Sequence, residues 1–191
     1  MKRNTFLKFF VASGAFILVP FRNSAWQKEA NRVGKGFKVD AGKDRFDKSI
    51  PIFEGDTFYC KVSSKDTDGD MYLFESTRQK EGGPPLHYHY DQDEWWYVLE
   101  GEFLIKVGDE TYTAKAGDFV FGPRKVPHTF AKIGKGESKL LMCFQPAGKM
   151  EEYFQKISAG ITAKMSEEER KVFRNEHGIE PVGPPLTYLK Q

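Results

Sequence analysis

From Ile52 to Pro146 the chain alternates short apolar runs with turn signals, which is the pattern of an antiparallel barrel or sandwich. The segments TFYCKVS, MYLFEST, EWWYVLEG, EFLIKV, TYTAKA, GDFVFGP and KLLMCFQP read as strands. Asp68-Gly69 marks a hairpin between the first two, and Gly101 and the GDE at 108–110 separate later ones. A composition of 15% aromatic residues with 18 glycines suits a fold rich in strands and turns, because rings fill a pleated half-buried surface and glycine serves tight turns. At 191 residues there is material for one domain with a sizeable core. The fold class expected is all-β.

The ends read differently. Residues 26–50 are polar with little periodicity and look like an arm leading into a barrel at 51–147. Over 148–191 the period changes: MEEYFQKIS and SEEERKVFRNEHG predict short helices, the second opening with a Ser166/Glu169 capping box and closing at Gly178. The tail PVGPPLTYLKQ is extended by its prolines. At the start, Lys2, Arg3 and Lys8 precede an apolar stretch, Phe9 to Phe21, which is the pattern of an export signal over 1–25 with removal near Ala25. The run is short for a spanning helix and contains Pro20, so the mature form is expected to be exported, periplasmic and without a stable membrane span, with a signal-anchored form as the alternative. KRNTFLK resembles a twin-arginine signal with Asn4 where a second arginine belongs, which leaves the route open.

A formal charge of +2, from 29 basic and 27 acidic residues scattered along the chain, provides no basic stripe for phosphates, so nucleic acid is not an expected partner. Cys60 and Cys143 both fall in apolar strand-like runs and are expected to be buried free thiols. KDTDGD has alternating aspartates but lacks the spacing of a calcium loop, and reads as a solvated hairpin turn.

The chemistry concentrates in GGPPLHYHYDQDEWWYVLEGE and GDFVFGPRKVPHTF. Residues two apart in a strand share a face, so His87 and His89 project together. Glu94 starts the next strand, where hairpin pairing is expected to bring its carboxylate beside them. His128 comes from a third strand. Three imidazoles and one carboxylate suit one divalent transition-metal ion (iron, manganese, nickel, cobalt, copper or zinc) and suit calcium or magnesium poorly. Three of the chain's four histidines fall in this set. The fourth, His177, sits in the last turn of a predicted helix and is not expected to be a ligand.

These segments resemble the two motifs of the cupin superfamily. His87, His89, Glu94 and Gly101 match the first motif's spacing, with Gly82 one residue too close, and Gly117, Pro123 and His128 match the second. Lys125 and Lys132 stand where that motif has glycine and asparagine, which touches loop shape and not the ligands. The resemblance implies a double-stranded β-helix, or jelly-roll barrel, with short C-terminal helices. DTDGDMYLFE, the first motif and HGIEPVGPPL further resemble small bacterial cupins of quercetin 2,3-dioxygenase type. That resemblance implies a dioxygenase acting on a hydroxylated, flavonol-like aromatic, with dioxygen as co-substrate and Glu94 as ligand or as general base. Trp96 and Tyr97 would line or back the pocket, or simply pack against a sheet. A metal-dependent isomerase or lyase and a non-catalytic small-ligand binding protein are the alternatives, and a homodimer is left open.

Overall fold

The computed structural model describes residues 32–53 and 55–186; the expected export signal at 1–25 and the last five residues lie outside them. The described residues form eleven strands. These are β1 (Ile50–Ile52), β2 (Asp56–Val62), β3 (Tyr72–Arg78), β4 (Pro85–His89), β5 (Asp93–Glu100), β6 (Glu102–Val107), β7 (Glu110–Lys115), β8 (Phe119–Gly122), β9 (His128–Ile133), β10 (Ser138–Gln145) and β11 (Ile179–Pro185). Two short helices, α1 (Met150–Ser158) and α2 (Glu167–Glu176), precede β11. The strands make two antiparallel sheets, ordered β1-β2-β3-β10-β5-β8 and β11-β4-β9-β6-β7. This is the all-β jelly roll with short C-terminal helices that the sequence led us to expect. No helix among the described residues is long and apolar enough to cross a membrane.

Period-2 alternation puts alternate residues of each strand between the sheets. Register then aligns them into rows: Trp96, Met142, Phe74 and Cys60 lie side by side across β5, β10, β3 and β2, and Val98, Leu140, Ser76 and Phe58 form the next row. All eight are buried, and Phe103, Ile105 and Phe130 cover them from the opposite sheet. The hairpin at Asp68-Gly69 is present, both residues having positive φ, and joins β2 to β3 after one 3-10 turn (Ser64–Asp66). Cys60 and Cys143 are buried free thiols, and burial pushes Cys143 up to about 12.

The arm is tied to β2 at Asp44, whose carboxylate accepts from the backbone N–H of Cys60 and from those of Phe46 and Lys48 within the arm. The helices stand where the sequence places them, with the Ser166/Glu169 capping box formed. Helix α1 is anchored through buried Glu151, whose carboxylate accepts from the Ser63 hydroxyl at 2.8 Å and the Ser64 N–H at 2.9 Å. The proline-rich tail is more than extended: Ile179–Pro185 pairs with β4 as an edge strand, a position that tolerates proline because one side needs no ladder donors.

Candidate metal centre

Strands β4 and β9 pair with His87 directly opposite His128, and His89 follows on the same face of β4. Glu94 does not arrive by hairpin pairing, contrary to the sequence-based expectation. Strands β4 and β5 belong to different sheets, because the connection at Tyr90–Gln92 carries the chain across the barrel. The carboxylate therefore reaches the imidazoles from the facing wall. Its Oε2 lies 3.1 Å from His128 Nε2, 3.2 Å from His89 Nε2 and 3.9 Å from His87 Nε2. One ligand atom from each of the four residues falls within 4.8 Å of the others, so the set can hold a metal ion.

The tautomers sharpen this. His87 Nδ1–H donates to the Pro85 carbonyl at 2.7 Å, and His128 Nδ1–H donates to the Val126 carbonyl at 2.9 Å. A neutral ring committed in this way presents a lone pair at Nε2. Both lone pairs face an anionic carboxylate oxygen in a buried space, His128 being fully buried and Glu94 2% exposed. Acceptors so disposed repel unless a cation or a proton lies among them. Burial alone would raise the Glu94 carboxyl, but where a proton on Nε2 of His128 or His89 takes the cation's place, its hydrogen bond to the carboxylate outweighs burial and holds the group at about 2. Burial, with the His89 and His128 rings alongside, pushes His87 down to about 3. The ligand atoms are thus ready for a metal ion without prior loss of a proton from His87 or Glu94 at neutral pH.

The surroundings hold the rings in place. Trp96 stacks edge-on against His128 with centroids 5.4 Å apart, and Phe144 does the same to His89 at 5.1 Å. Trp96 backs the site and is fully buried, whereas Tyr97 points to the outer face and is 37% exposed. His177 sits at the end of α2, donating to the Phe173 carbonyl at 2.6 Å, and takes no part in the cluster. Lys125 keeps the left-handed conformation, φ 65°, at the position where the motif has glycine, and its N–H donates to the His89 carbonyl at 2.8 Å. The buried Lys132 turns its Nζ to the Gly134 carbonyl at 2.6 Å.

A cavity of about 630 Å³ opens from His87, His89 and Glu94. Phe58, Phe130, Met142 and Phe144 wall it, Met150, Tyr153 and Phe154 of α1 cover it, and a buried ion pair, Asp56 with Arg78, lies in its lining. Sequence reasoning missed that pair. The signal was available in the alternation of β3, where Tyr72, Phe74, Ser76 and then Arg78 fall on the inward face.

Comparison with known proteins places these features in a family. Residues 74–144, the stretch that carries all four cluster residues, match the cupin domain. An uncharacterized protein of Methanocaldococcus jannaschii is 39% identical over 61 residues, 32% of this chain and 49% of the relative. A 3-hydroxyanthranilate 3,4-dioxygenase of Xanthomonas euvesicatoria is 44% identical over 55 residues, 25% of this chain and 31% of that protein. The chain therefore spans only about half and about a third of the lengths of these relatives. Among solved structures, an RmlC-like cupin from Shewanella frigidimarina superposes with a TM-score of 0.48 at 19% identity, covering 61% of this chain and 96% of that one. KdgF from Halomonas sp. gives 0.47 at 17%, covering 52% and 86%. With the four clustered residues all inside the matched stretch of the jelly roll, residues 74–144 are a cupin domain.

Proposed function

We propose that this cupin is a metal-dependent oxidoreductase, a dioxygenase that acts on a hydroxylated aromatic small molecule of flavonol type. The observation that carries the reading is the arrangement of Nε2 lone pairs around a single Glu94 oxygen at the head of a ring-walled cavity. His87, His89, His128 and Glu94 hold the ion. When bound, such an ion supplies Lewis-acid polarisation of a ring oxygen and, where redox-active, electron exchange with dioxygen. The residues do the rest. Aromatic side chains set the plane of a flat substrate, and α1 keeps water from the chamber. Glu94 accepts the proton of the ring hydroxyl; held at about 2 it is a weak base on its own, so the transfer relies on the ion, when bound, making that hydroxyl more acidic. The likeness to dioxygenases named for a hydroxylated aromatic acid supports the class of reaction over the matched segment.

The test is metal analysis followed by oxygen-electrode measurement of the metal-loaded protein with polyphenols. Oxygen uptake on addition of a flavonol is expected. Turnover that proceeds equally without oxygen would move the chain to the isomerases or lyases, and tight binding with no turnover would make it a binding protein. His87→Ala and His128→Ala should each lose the ion and the thermal stabilisation it brings, while His177→Ala should retain both. Equal metal content in all three variants would remove the assignment.

A further inference from the structure

We propose that Asp56 and Arg78 form a distal subsite of the cavity that recognises a group able both to donate and to accept a hydrogen bond, a phenolic hydroxyl, on the end of the ligand far from the metal centre. This rests on the flavonol-type reading of the cavity. The Asp56 and Arg78 side chains are 7% and 8% exposed, with Arg78 Nη2 2.7 Å from Asp56 Oδ2, and both line the cavity that His87, His89 and Glu94 head. The guanidinium carbon lies 4.7 Å from the Phe130 ring centroid. Phe130 is two residues beyond His128 on the inward face of β9, so the metal centre and the ion pair are on the order of 10 Å apart, with aromatic walls between. That spacing fits a molecule of two linked rings lying along the wall.

As a purely structural element the pair is poor. A buried ion pair repays its desolvation only when its remaining donors are satisfied, and Arg78 Nε is buried with no partner among the described residues. Burial raises the Asp56 carboxyl and lowers the Arg78 guanidinium, as expected of charges held in a poorly solvated wall. The pair is neutral as a unit and presents an acceptor beside a donor. A free carboxylate placed there would meet Asp56 head-on, whereas a hydroxyl completes both partners. The subsite thus selects ligands by a hydroxyl on the pendant ring, and apolar contact alone cannot make that distinction strongly.

The test compares binding of quercetin and of galangin, the same flavonol without pendant-ring hydroxyls, to the metal-loaded full chain by calorimetry and by the absorbance shift of the flavonol. We expect quercetin to bind on the order of tenfold more tightly or better. Asp56→Leu/Arg78→Met, an apolar replacement of the whole pair, should keep its metal and its affinity for galangin while losing the preference. Arg78→Lys retains a cation beside Asp56 but loses the planar set of donors, and should also lose most of the preference; it decides the question if the double variant does not fold. Equal affinity of the parent protein for the two flavonols, or a preference that survives in both variants, overturns the subsite. If neither flavonol binds the parent protein, the flavonol reading itself fails and the subsite is lost with it.

Discussion

At the residue scale the decisive side chain is Glu94, which is one of four candidate ligands and lines the cavity at its metal end. If it were a ligand only, Glu94→Gln would lose activity in proportion to metal occupancy. An amide of almost the same shape cannot take up a proton, however, and general-base contributions are typically about 100- to 10,000-fold. Three imidazoles remain to hold the ion. Glu94→Gln is therefore expected to keep about half of its metal or more and to lose nearly all turnover, as read by metal analysis beside oxygen uptake; turnover per bound ion equal to the parent would exclude the base role. Lys125 gives a second expectation. Its left-handed backbone costs a residue with a side chain about 1 kcal/mol, so Lys125→Gly should raise the melting temperature by about 2–4 °C while the His89 carbonyl keeps its donor. An unchanged or lower melting temperature would show that the lysine side chain compensates. Both positions were legible in the sequence, Glu94 by its spacing from His-x-His and Lys125 as a departure from a glycine. Their partners were not. Which oxygen faces which nitrogen, and which ring nitrogen is tied to a backbone carbonyl, depend on distances that no spacing encodes.

At the scale of elements, the centre depends on the seam between β4 and β9, where His87 meets His128. Just before β4 the chain passes so close to β9 that a Cβ on Gly83 would overlap the Phe130 carbonyl oxygen. Backbone cannot give way as a flexible side chain does. Gly83→Ala is therefore expected to push the two strands apart, at a cost of about 2–3 kcal/mol, and to weaken metal retention although no ligand is altered. A thermal melt together with metal analysis checks this, and full metal retention would mean that the seam does not position the ligands. Apart from β1, three residues with no pattern of their own, the strands of the six-stranded sheet were readable as short apolar runs between turn residues. Strand β11 was not. Its pattern is broken by Pro181, Pro184 and Pro185, and it exists because β4 offers it an open edge, with Ile179 opposite His89 and Pro181 opposite His87. The crossing of β5 into the facing sheet was hidden for a related reason. A short polar connection such as Tyr90–Gln92 reads as a hairpin turn, and only the packing of two sheets decides that it spans them.

For the molecule as a whole, the barrel surrounds a group of ionisable side chains whose protons the folded state refuses, and this ties stability to pH. His87 is pushed down to about 3 from an ordinary 6.5, and Glu94 is held at about 2 against an ordinary 4.5. In both cases the unfolded chain binds a proton that the native fold releases, so stability rises with pH across each interval. The contribution of His87 is complete above about pH 6.5 and is lost as the pH falls toward about 3; that of Glu94 is complete above about 4.5 and is lost toward about 2. Asp56 has the opposite sign, since burial raises its carboxyl and favours the fold in acid, but it opposes two groups alone. A metal ion adds to the same trend, because it competes with protons for the same lone pairs. At a free concentration a hundredfold above its dissociation constant it stabilises the fold by about 2.7 kcal/mol, on the order of 5–10 °C in melting temperature. Thermal melts of metal-free and metal-loaded protein between about pH 8 and about pH 4 should therefore show two effects. The metal-free protein loses stability as the pH drops below about 6.5, and the added increment from metal shrinks with it until the two curves meet. In His87→Ala the metal increment should be absent throughout and the acid loss above pH 4 reduced. A metal increment that stays constant down to about pH 4 would mean that the stabilising ion is held by groups other than these imidazoles, and the assignment of the centre would have to be abandoned.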